Sequence, residues 1–214
     1  MRTCKRCLLP ETYETIDIAE DESGCNLCGS VDKKRQSINW TKKKRMLDSI
    51  IEKYRGKYEY DCIVPFSGGK DSCYALYYLV KEYKIKPLVV RFDSGFMRPI
   101  TAENIRTVIK KTGVDYISFT PNWHVVKLLM LEAFQKKTDF CWHCHTGVYS
   151  YPLRIAVKYN TPLVFWGETM DLMLGGYDFT DQSIDFEDEK RFNSARTLGI
   201  SAMDMYQSLK KKGV

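Results

Sequence analysis

Residues 67–72 read Ser-Gly-Gly-Lys-Asp-Ser and combine residue types that bind phosphate groups. An apolar run ends just before them at Phe66, and apolar residues at helical spacing follow, which together predict a buried strand, a tight glycine turn and a helix. Paired glycines let a backbone approach a ligand closely, and the start of a helix offers unpaired N–H groups and the positive end of its dipole. Because Asp71 and Ser72 follow Lys70, this is not a Walker A motif. We expect a phosphate-binding loop of another kind; the alternative is a glycine turn that only starts a helix.

The N-terminal cysteines form two CxxC pairs, Cys4 with Cys7 and Cys25 with Cys28, and 17 residues separate the pairs. This spacing fits the zinc-ribbon pattern, in which two thiolates from each of two turns complete a tetrahedron around Zn²⁺. Such a closed site stabilises a fold and performs no catalysis. A rubredoxin-like iron site or an iron–sulfur cluster is the rival interpretation.

A third CxxC pair, Cys141 with Cys144, lies beside two of the three histidines of the chain. The pair could bind a metal together with a histidine, act as a redox or persulfide-carrying pair, or hold part of an iron–sulfur cluster. Because no cysteine follows Cys144, a third thiolate for a cluster would have to come from Cys62 or Cys73. The structural alternative is a pair of buried thiols at a capped turn.

Length and composition favour a globular protein of one full domain and a small appendage, since the chain has 214 residues of which 44% are hydrophobic. It carries 33 Lys and Arg residues against 27 Asp and Glu residues, and this mild positive excess suits phosphate-bearing ligands or RNA. No apolar run reaches the roughly 18 residues of a transmembrane helix, and the N-terminus lacks the apolar core of a signal peptide. We therefore expect a cytoplasmic protein with no membrane association.

Segments with strand character alternate with helical segments, which predicts an α/β fold: a parallel sheet with helices on both faces. The predicted strands cover residues 61–66, 87–92, 115–119 and 162–166, and the predicted helices cover residues 71–83, 101–112, 123–137 and a last segment ending at residue 159. We expect a zinc-ribbon-like module at residues 1–36, a linking helix at residues 37–60, and a nucleotide-binding domain at residues 61–214.

Ligands of parallel α/β sheets bind at the carboxyl ends of the strands. The loop at Ser67, the pair Asp93 and Ser94, and Glu168 all follow predicted strands, so we expect them around one crevice. For Asp93 the alternative is a loop cap, and for Glu168 it is a helix cap.

Residues 67–72 closely resemble the SGGxDS loop of the PP-loop (N-type) ATP pyrophosphatase superfamily. The resemblance implies an adenine nucleotide alpha hydrolase-like fold and an enzyme that cleaves ATP to AMP and pyrophosphate while it adenylates a substrate oxygen. It implies that pyrophosphate is held by Ser67, Gly68, Gly69 and Ser72, and that Asp71 lies near Mg²⁺. It also implies that Asp93 and Ser94 contact adenosine, and that Glu168 contacts Mg²⁺ or the adenylated centre. Lys70 is expected to stabilise the pyrophosphate leaving group. Our candidate catalytic residues are therefore Lys70, Asp71, Cys141, Cys144 and Glu168.

Several further segments are similar to the bacterial N-acetyl sugar amidotransferases of surface-polysaccharide (lipopolysaccharide) and pseudaminic acid biosynthesis. They are residues 3–12, 24–28, 140–147, 149–152 and 165–168. The resemblance implies that ATP activates the N-acetyl carbonyl of a sugar or nucleotide sugar and that ammonia from a separate glutaminase subunit displaces AMP to give an acetamidino group. We also expect a homo-oligomer. Members of that family are markedly longer than this chain, which leaves the acceptor open.

Two other functions remain as alternatives. An ATP-dependent tRNA sulfurtransferase would share the loop, the zinc module and a central CxxC pair, and the basic and aromatic residues would serve RNA binding. A non-catalytic ATP-binding module would keep the loop without turnover, although intact Ser67, Asp71 and Ser72 argue against it.

Overall fold

The computed structural model describes residues 2–12, 16–19, 24–167 and 197–213. In chain order the elements are α1 (Asn26–Ser37), α2 (Trp40–Tyr54), β1 (Cys62–Pro65), α3 (Lys70–Lys81), β2 (Pro87–Phe92), α4 (Pro99–Thr112), β3 (Asp115–Phe119), α5 (Trp123–Lys137), α6 (Trp142–Lys158) and α7 (Ala202–Lys211). The chain divides into two compact units, and the boundary falls inside α2, between Ser49 and Ile50.

The first unit is built around its cysteines. An antiparallel bridge between Thr3 and Pro10 closes the turn that carries the first CxxC pair, and a second bridge joins Ile18 to Cys25. Helix α1 begins directly after Cys25, at a place where the sequence analysis predicted no helix. The buried cluster of this unit consists of Cys4, Ile18 and Cys25. So small an apolar core calls for a further source of stability.

Three parallel strands form the sheet of the second unit, in the order β1–β2–β3. Ile63 lies opposite Leu88 in the first pair of strands, and Val90 lies opposite Ile117 in the second. Helices connect the strands, which confirms the expected parallel α/β arrangement. Strands β2 and β3 and helix α5 cover the ranges predicted for them.

The strand predicted at residues 162–166 is reduced to one parallel bridge, between Val164 and Ile63. Ile63 N–H donates to Leu163 O at 2.8 Å, and Phe165 N–H donates to Ile63 O at 2.8 Å. The next bond of this ladder would run from the N–H of residue 65 to Phe165 O, and residue 65 is a proline, which has no N–H to donate. Because this bridge lies on the side of β1 that faces away from β2, the strand order reverses at β1, and ligands of such sheets bind at the reversal.

Helix α6 covers one face of the sheet. Ile63, Leu88 and Val90 of the strands pack there with Ile155 and Ala156 of the helix. Strand β2 contributes Leu88 and Val90, two residues apart, as the alternation of side chains along a strand requires.

The approach of α6 to β2 depends on Gly147. A Cβ atom at this position would lie 2.2 Å from Cζ of Phe92. A larger residue would therefore displace either the Phe92 ring or the helix, so the present contact between them requires glycine.

Helix α4 lies over the opposite face. Val64 and Val89 of that face are fully buried, and Ile105 and Ile109 of α4 line a cavity together with Tyr116, the partner of Val89 in the sheet register. The sheet therefore has a helix against each face.

A second apolar cluster joins α5, α6 and α7. It contains Ala133, Trp142, Ile200 and Met205. The indole N–H of Trp142 donates to Ile200 O at 3.0 Å, so the polar atom of this buried ring is paired. This cluster fixes α7 and the start of α6.

Glu132 of α5 carries a buried carboxylate, only 3% exposed, that holds the end of α7. It accepts hydrogen bonds from Ser208 and Lys212, and the bond from Lys212 is the largest influence that lowers the pKa of Glu132 below its ordinary value. A lowered pKa in the folded state stabilises the fold above the unfolded pKa of about 4.3, and this stabilisation is lost as the pH falls through the folded value.

We expect Glu132→Gln to lower the melting temperature by roughly 3 °C at pH 7 and the difference from the unsubstituted protein to shrink below about pH 4.3.

The matched control for this prediction is Glu103→Gln, which neutralises an exposed glutamate on α4. Thermal unfolding followed by circular dichroism at several pH values gives both comparisons. A constant difference between Glu132→Gln and the unsubstituted protein across the acidic range would contradict the prediction.

Candidate functional site

A cavity of about 340 Å³ opens at the carboxyl ends of β1 and β2. The loop before α3 forms one side of it, and α6 and the segment after the Val164 bridge form another. The lining residues that concern the argument are Ser67, Gly69, Asp71, Ser72, Arg91, Ser94, Arg98, Thr101, Cys144, Trp166 and Gly167. Residues from four separate parts of the sequence thus meet at one place in the second unit.

The loop between β1 and α3 is held in shape by its own polar groups. The hydroxyl oxygens of Ser67 and Ser72 lie 3.1 Å apart. Gly69 N–H donates to Ser67 Oγ at 3.2 Å, and Ser72 Oγ lies 3.2 Å from Gly69 O, to which it donates. The two hydroxyls therefore stand side by side at the cavity wall.

Gly68 has a backbone conformation that only glycine adopts easily. Its φ is +79°, and a Cβ atom there would lie 2.5 Å from Cγ1 of Ile105. Both the left-handed backbone and the close approach of α4 require glycine at this position.

The N-termini of α3 and α4 both border the cavity, and no side chain caps either of them. The N-cap residues are Gly69 and Arg98. The first N–H groups of a helix have no partner within the helix, and they carry the positive end of the helix dipole. This wall of the cavity therefore suits an anion.

Gly167 brings the end of the fourth segment onto the loop. A Cβ atom on Gly167 would lie 2.9 Å from Cα of Ser72. The predicted convergence of the two strand ends is thus found at Gly167. The next residue, Glu168, was predicted to belong to the site and lies outside the described residues.

Arg91 is a site residue that the sequence analysis did not select. It is a buried cation near the end of β2, and its Nη1 donates to Ser67 O at 3.0 Å. Its Nη2 lies 3.6 Å from Asp93 Oδ1. The signal in the sequence is a single charged residue inside an apolar strand, where a charge needs a specific partner.

Asp93 behaves as a loop cap, which was its alternative role. It accepts hydrogen bonds from Gly95 N–H at 3.1 Å and from Thr120 Oγ1 at 3.4 Å. It does not line the cavity, whereas its neighbour Ser94 does.

Lys70 and Gly68 also lie outside the lining of the cavity. The Lys70 side chain is 88% exposed, and its ammonium lies 2.8 Å from a carboxylate oxygen of Asp71. An ion pair this exposed contributes little to the fold, so solvent surrounds most of the Lys70 side chain at the rim of the loop.

The two cysteines of the third CxxC pair differ in position, because only one of them lines the cavity. Cys144 lines the cavity, while burial raises the pKa of the Cys141 thiol above its ordinary value. Between them His143 is buried, and its Nε2 lies 3.2 Å from Ser94 O. This contact ties the start of α6 to the loop after β2.

Within the described part of the chain, no third metal-ligating side chain joins Cys141 and Cys144. Cys62 is fully buried in β1, where burial raises the pKa of its thiol to about 12. Burial likewise raises the pKa of Cys73, which lies in α3. Neither completes a cluster with the pair.

The first unit has a candidate metal site at Cys4, Cys7, Cys25 and Cys28, whose sulfur atoms all lie within 4.8 Å of one another. The Sγ atoms of Cys4 and Cys28 are 3.9 Å apart, and those of Cys7 and Cys25 are 3.6 Å apart. A tetrahedron with zinc–sulfur bonds of about 2.3 Å places its sulfurs about 3.8 Å apart, so the four thiols fit a metal ion such as zinc. Hydrogen bonds from the backbone N–H groups of Cys7 and Arg6 lower the pKa of Cys4 to about 6, which favours the thiolate that a metal binds.

In the described residues, no helix has both the length and the apolar character needed to cross a membrane. No protein-family model matches the chain. An uncharacterized protein of Methanocaldococcus jannaschii is 40% identical to it over 80 residues. That similarity covers 36% of this chain and 28% of the archaeal protein, so the chain spans under a third of the relative that it matches.

Proposed function

We propose that the second unit binds ATP in the cavity at the carboxyl ends of β1 and β2 and cleaves it to AMP and pyrophosphate while it adenylates an acceptor. The observation that carries this proposal is the convergence of Ser67, Gly69, Ser72 and the buried Arg91 on one cavity beside an uncapped helix N-terminus. Phosphate is the ligand that such donors recognise best.

Each group has a defined role in binding pyrophosphate. The loop and the first turn of α3 supply N–H donors, and the hydroxyls of Ser67 and Ser72 supply two more. Arg91 adds a buried positive charge behind the loop, and Lys70 is the residue that we expect to stabilise the charge on the leaving group. Preorganised donors of this kind stabilise a transition state because they need no rearrangement when charge develops.

The oxygen-rich wall of the cavity also fits Mg²⁺. Asp71 lines it with a carboxylate, and the hydroxyls of Ser67 and Ser72 lie beside it. Mg²⁺ prefers a few protein oxygens together with substrate phosphates and water. When bound, it would neutralise phosphate charge during the displacement.

We propose that the acceptor is the N-acetyl group of a sugar or nucleotide sugar, on the strength of the sequence resemblance to the N-acetyl sugar amidotransferases. The carbonyl oxygen attacks the α-phosphorus, and the bond from that phosphorus to pyrophosphate breaks. Ammonia then adds to the activated carbon, loses a proton, and AMP departs with the former carbonyl oxygen. The product is an acetamidino sugar for surface glycans, and a glutaminase partner would supply the ammonia.

A second candidate function follows from the position of Cys144 in the wall of the cavity. A thiol beside the adenylation site favours the alternative in which sulfur, and not ammonia, displaces AMP. In that case the acceptor would be tRNA, and a separate donor would load the sulfur onto Cys144 as a persulfide. Its terminal sulfur would attack the activated carbon as AMP leaves, Cys141 would break the S–S bond to form a disulfide with Cys144, and an external thiol would reduce that disulfide.

The test is pyrophosphate release from ATP and Mg²⁺ with ammonium ions and a panel of N-acetyl sugars and nucleotide sugars. A parallel reaction contains tRNA and a persulfide donor. We expect release with a sugar and ammonium, together with an amidine product detected by mass spectrometry. Pyrophosphate release only with tRNA and persulfide would favour the sulfurtransferase over the amidotransferase. Tight ATP binding without turnover in either reaction would favour the non-catalytic module.

A further inference from the structure

Asn104 of α4 contacts the glycine loop from outside the cavity. Its side-chain Nδ2 donates to Gly68 O at 2.5 Å. The same nitrogen lies 3.5 Å from Cys73 Sγ. Asn104 itself is exposed, whereas Gly68 is buried, so an accessible side chain holds a buried carbonyl.

The contact fixes the direction of one peptide group. The peptide between Gly68 and Gly69 is trans, so its C=O and its N–H point in opposite directions. While Asn104 holds the carbonyl on the side of α4, Gly69 N–H is directed to Ser67 Oγ, at 3.2 Å. Both Ser67 and Gly69 line the cavity.

Nothing within the peptide itself enforces this direction. Glycines flank it on both sides, and glycine adopts positive and negative φ with similar ease, so the peptide can rotate at little cost. The preceding carbonyl, Ser67 O, is held by Arg91 Nη1 at 3.0 Å. Two side chains far from the loop in sequence thus hold two successive carbonyls of it.

We infer that Asn104 is a positioning residue: it keeps the Gly69 N–H on the cavity side of the loop, where the pyrophosphate part of the nucleotide can replace Ser67 Oγ as its acceptor. This inference rests on the proposed binding of ATP in the cavity. Asn104 touches no phosphate in this role; it acts through the orientation of the Gly68–Gly69 peptide. Substitution of Asn104 is therefore expected to weaken the binding of ligands that contact the loop and to leave the binding of other ligands unchanged.

The test compares Asn104→Leu, which keeps the approximate shape and removes the donor, with the unsubstituted protein. The dissociation constants of pyrophosphate and of AMP are measured separately by calorimetry in the presence of Mg²⁺. We expect Asn104→Leu to weaken pyrophosphate binding about fivefold to tenfold and to leave AMP binding within about twofold. The control is Thr107→Ala, an exposed position on the same helix that borders the same surface depression as Asn104, and we expect it to bind both ligands normally.

Each other outcome is decisive. Equal pyrophosphate binding by Asn104→Leu and the unsubstituted protein overturns the positioning role. Equal weakening of pyrophosphate and AMP, or the same loss in Thr107→Ala, also overturns it, since a general disturbance of α4 would then be the cause. If the unsubstituted protein binds neither pyrophosphate nor ATP, the proposed function itself fails.

Discussion

Asp71→Asn is expected to slow pyrophosphate release from ATP at least about a hundredfold while the protein remains folded. The Asp71 carboxylate lines the cavity beside two serine hydroxyls and is the charged oxygen donor for Mg²⁺ in the proposed mechanism. An amide of the same shape cannot supply that charge, and a hundredfold loss corresponds to about 3 kcal/mol of transition-state stabilisation. The Asp71 side chain is 51% exposed and pairs with the still more exposed Lys70, so its replacement removes little from the fold.

The measurement is the rate of pyrophosphate release at saturating ATP, together with the melting temperature of each variant. Glu82→Gln is the matched control, because Glu82 is an exposed acid at the opposite end of α3. We expect it to retain full activity. Undiminished release by Asp71→Asn would remove the residue from the mechanism, and a large fall in its melting temperature would attribute the loss to unfolding.

Local sequence signals were sufficient for elements with clear boundaries. Strand β2 is apolar and begins at Pro87, and polar loop residues starting at Asp93 end it, so its range could be predicted. Helix α1 could not be predicted, because it follows a cysteine turn and most of its residues are polar or charged. The segment at residues 162–166 has the composition of a strand, yet Pro65 of β1 has no N–H to continue the ladder, which stops at one bridge.

In the candidate site too, some residues are predicted by a local motif, and others are brought together only by contacts between segments distant in sequence. Ser67, Gly69, Asp71 and Ser72 line the cavity because one short motif specifies a strand, a turn and a helix. The contact of Asn104 with Gly68 spans 36 residues of sequence, and that of His143 with Ser94 spans 49.

No local pattern connects such pairs, because they depend on how α4 and α6 pack against the sheet. Charge in an apolar context is the one signal that could have selected a residue of this kind, namely Arg91 in β2. Contacts that hold a motif in place are therefore visible only after the helices are packed.

Cys25→Ser is expected to abolish metal binding by the first unit and to unfold it. Cys25 is 4% exposed and forms the buried cluster of that unit with Cys4 and Ile18, which is too little apolar surface to maintain a fold. Structural zinc sites contribute on the order of 10 kcal/mol to folding, so a metal bound by the four cysteines would dominate the stability of the unit. Zinc content by mass spectrometry and hydrogen exchange of the full-length chain test this. Amides at residues 2–12 and 24–37 should lose protection at least about a hundredfold, while those of β1–β3, which have their own apolar core, should keep theirs.

Cys73→Ser is the control that separates this cluster from the other thiols of the chain. Cys73 lies in α3 and does not belong to the four-cysteine group, so the variant should retain zinc and the protection of the first unit. Zinc retained by Cys25→Ser would contradict the ligand set. Unchanged protection after zinc is removed from the unsubstituted protein by a strong chelator would contradict the structural role. Iron in place of zinc would favour the rubredoxin-like alternative, since the same tetrahedron of thiolates accepts either metal.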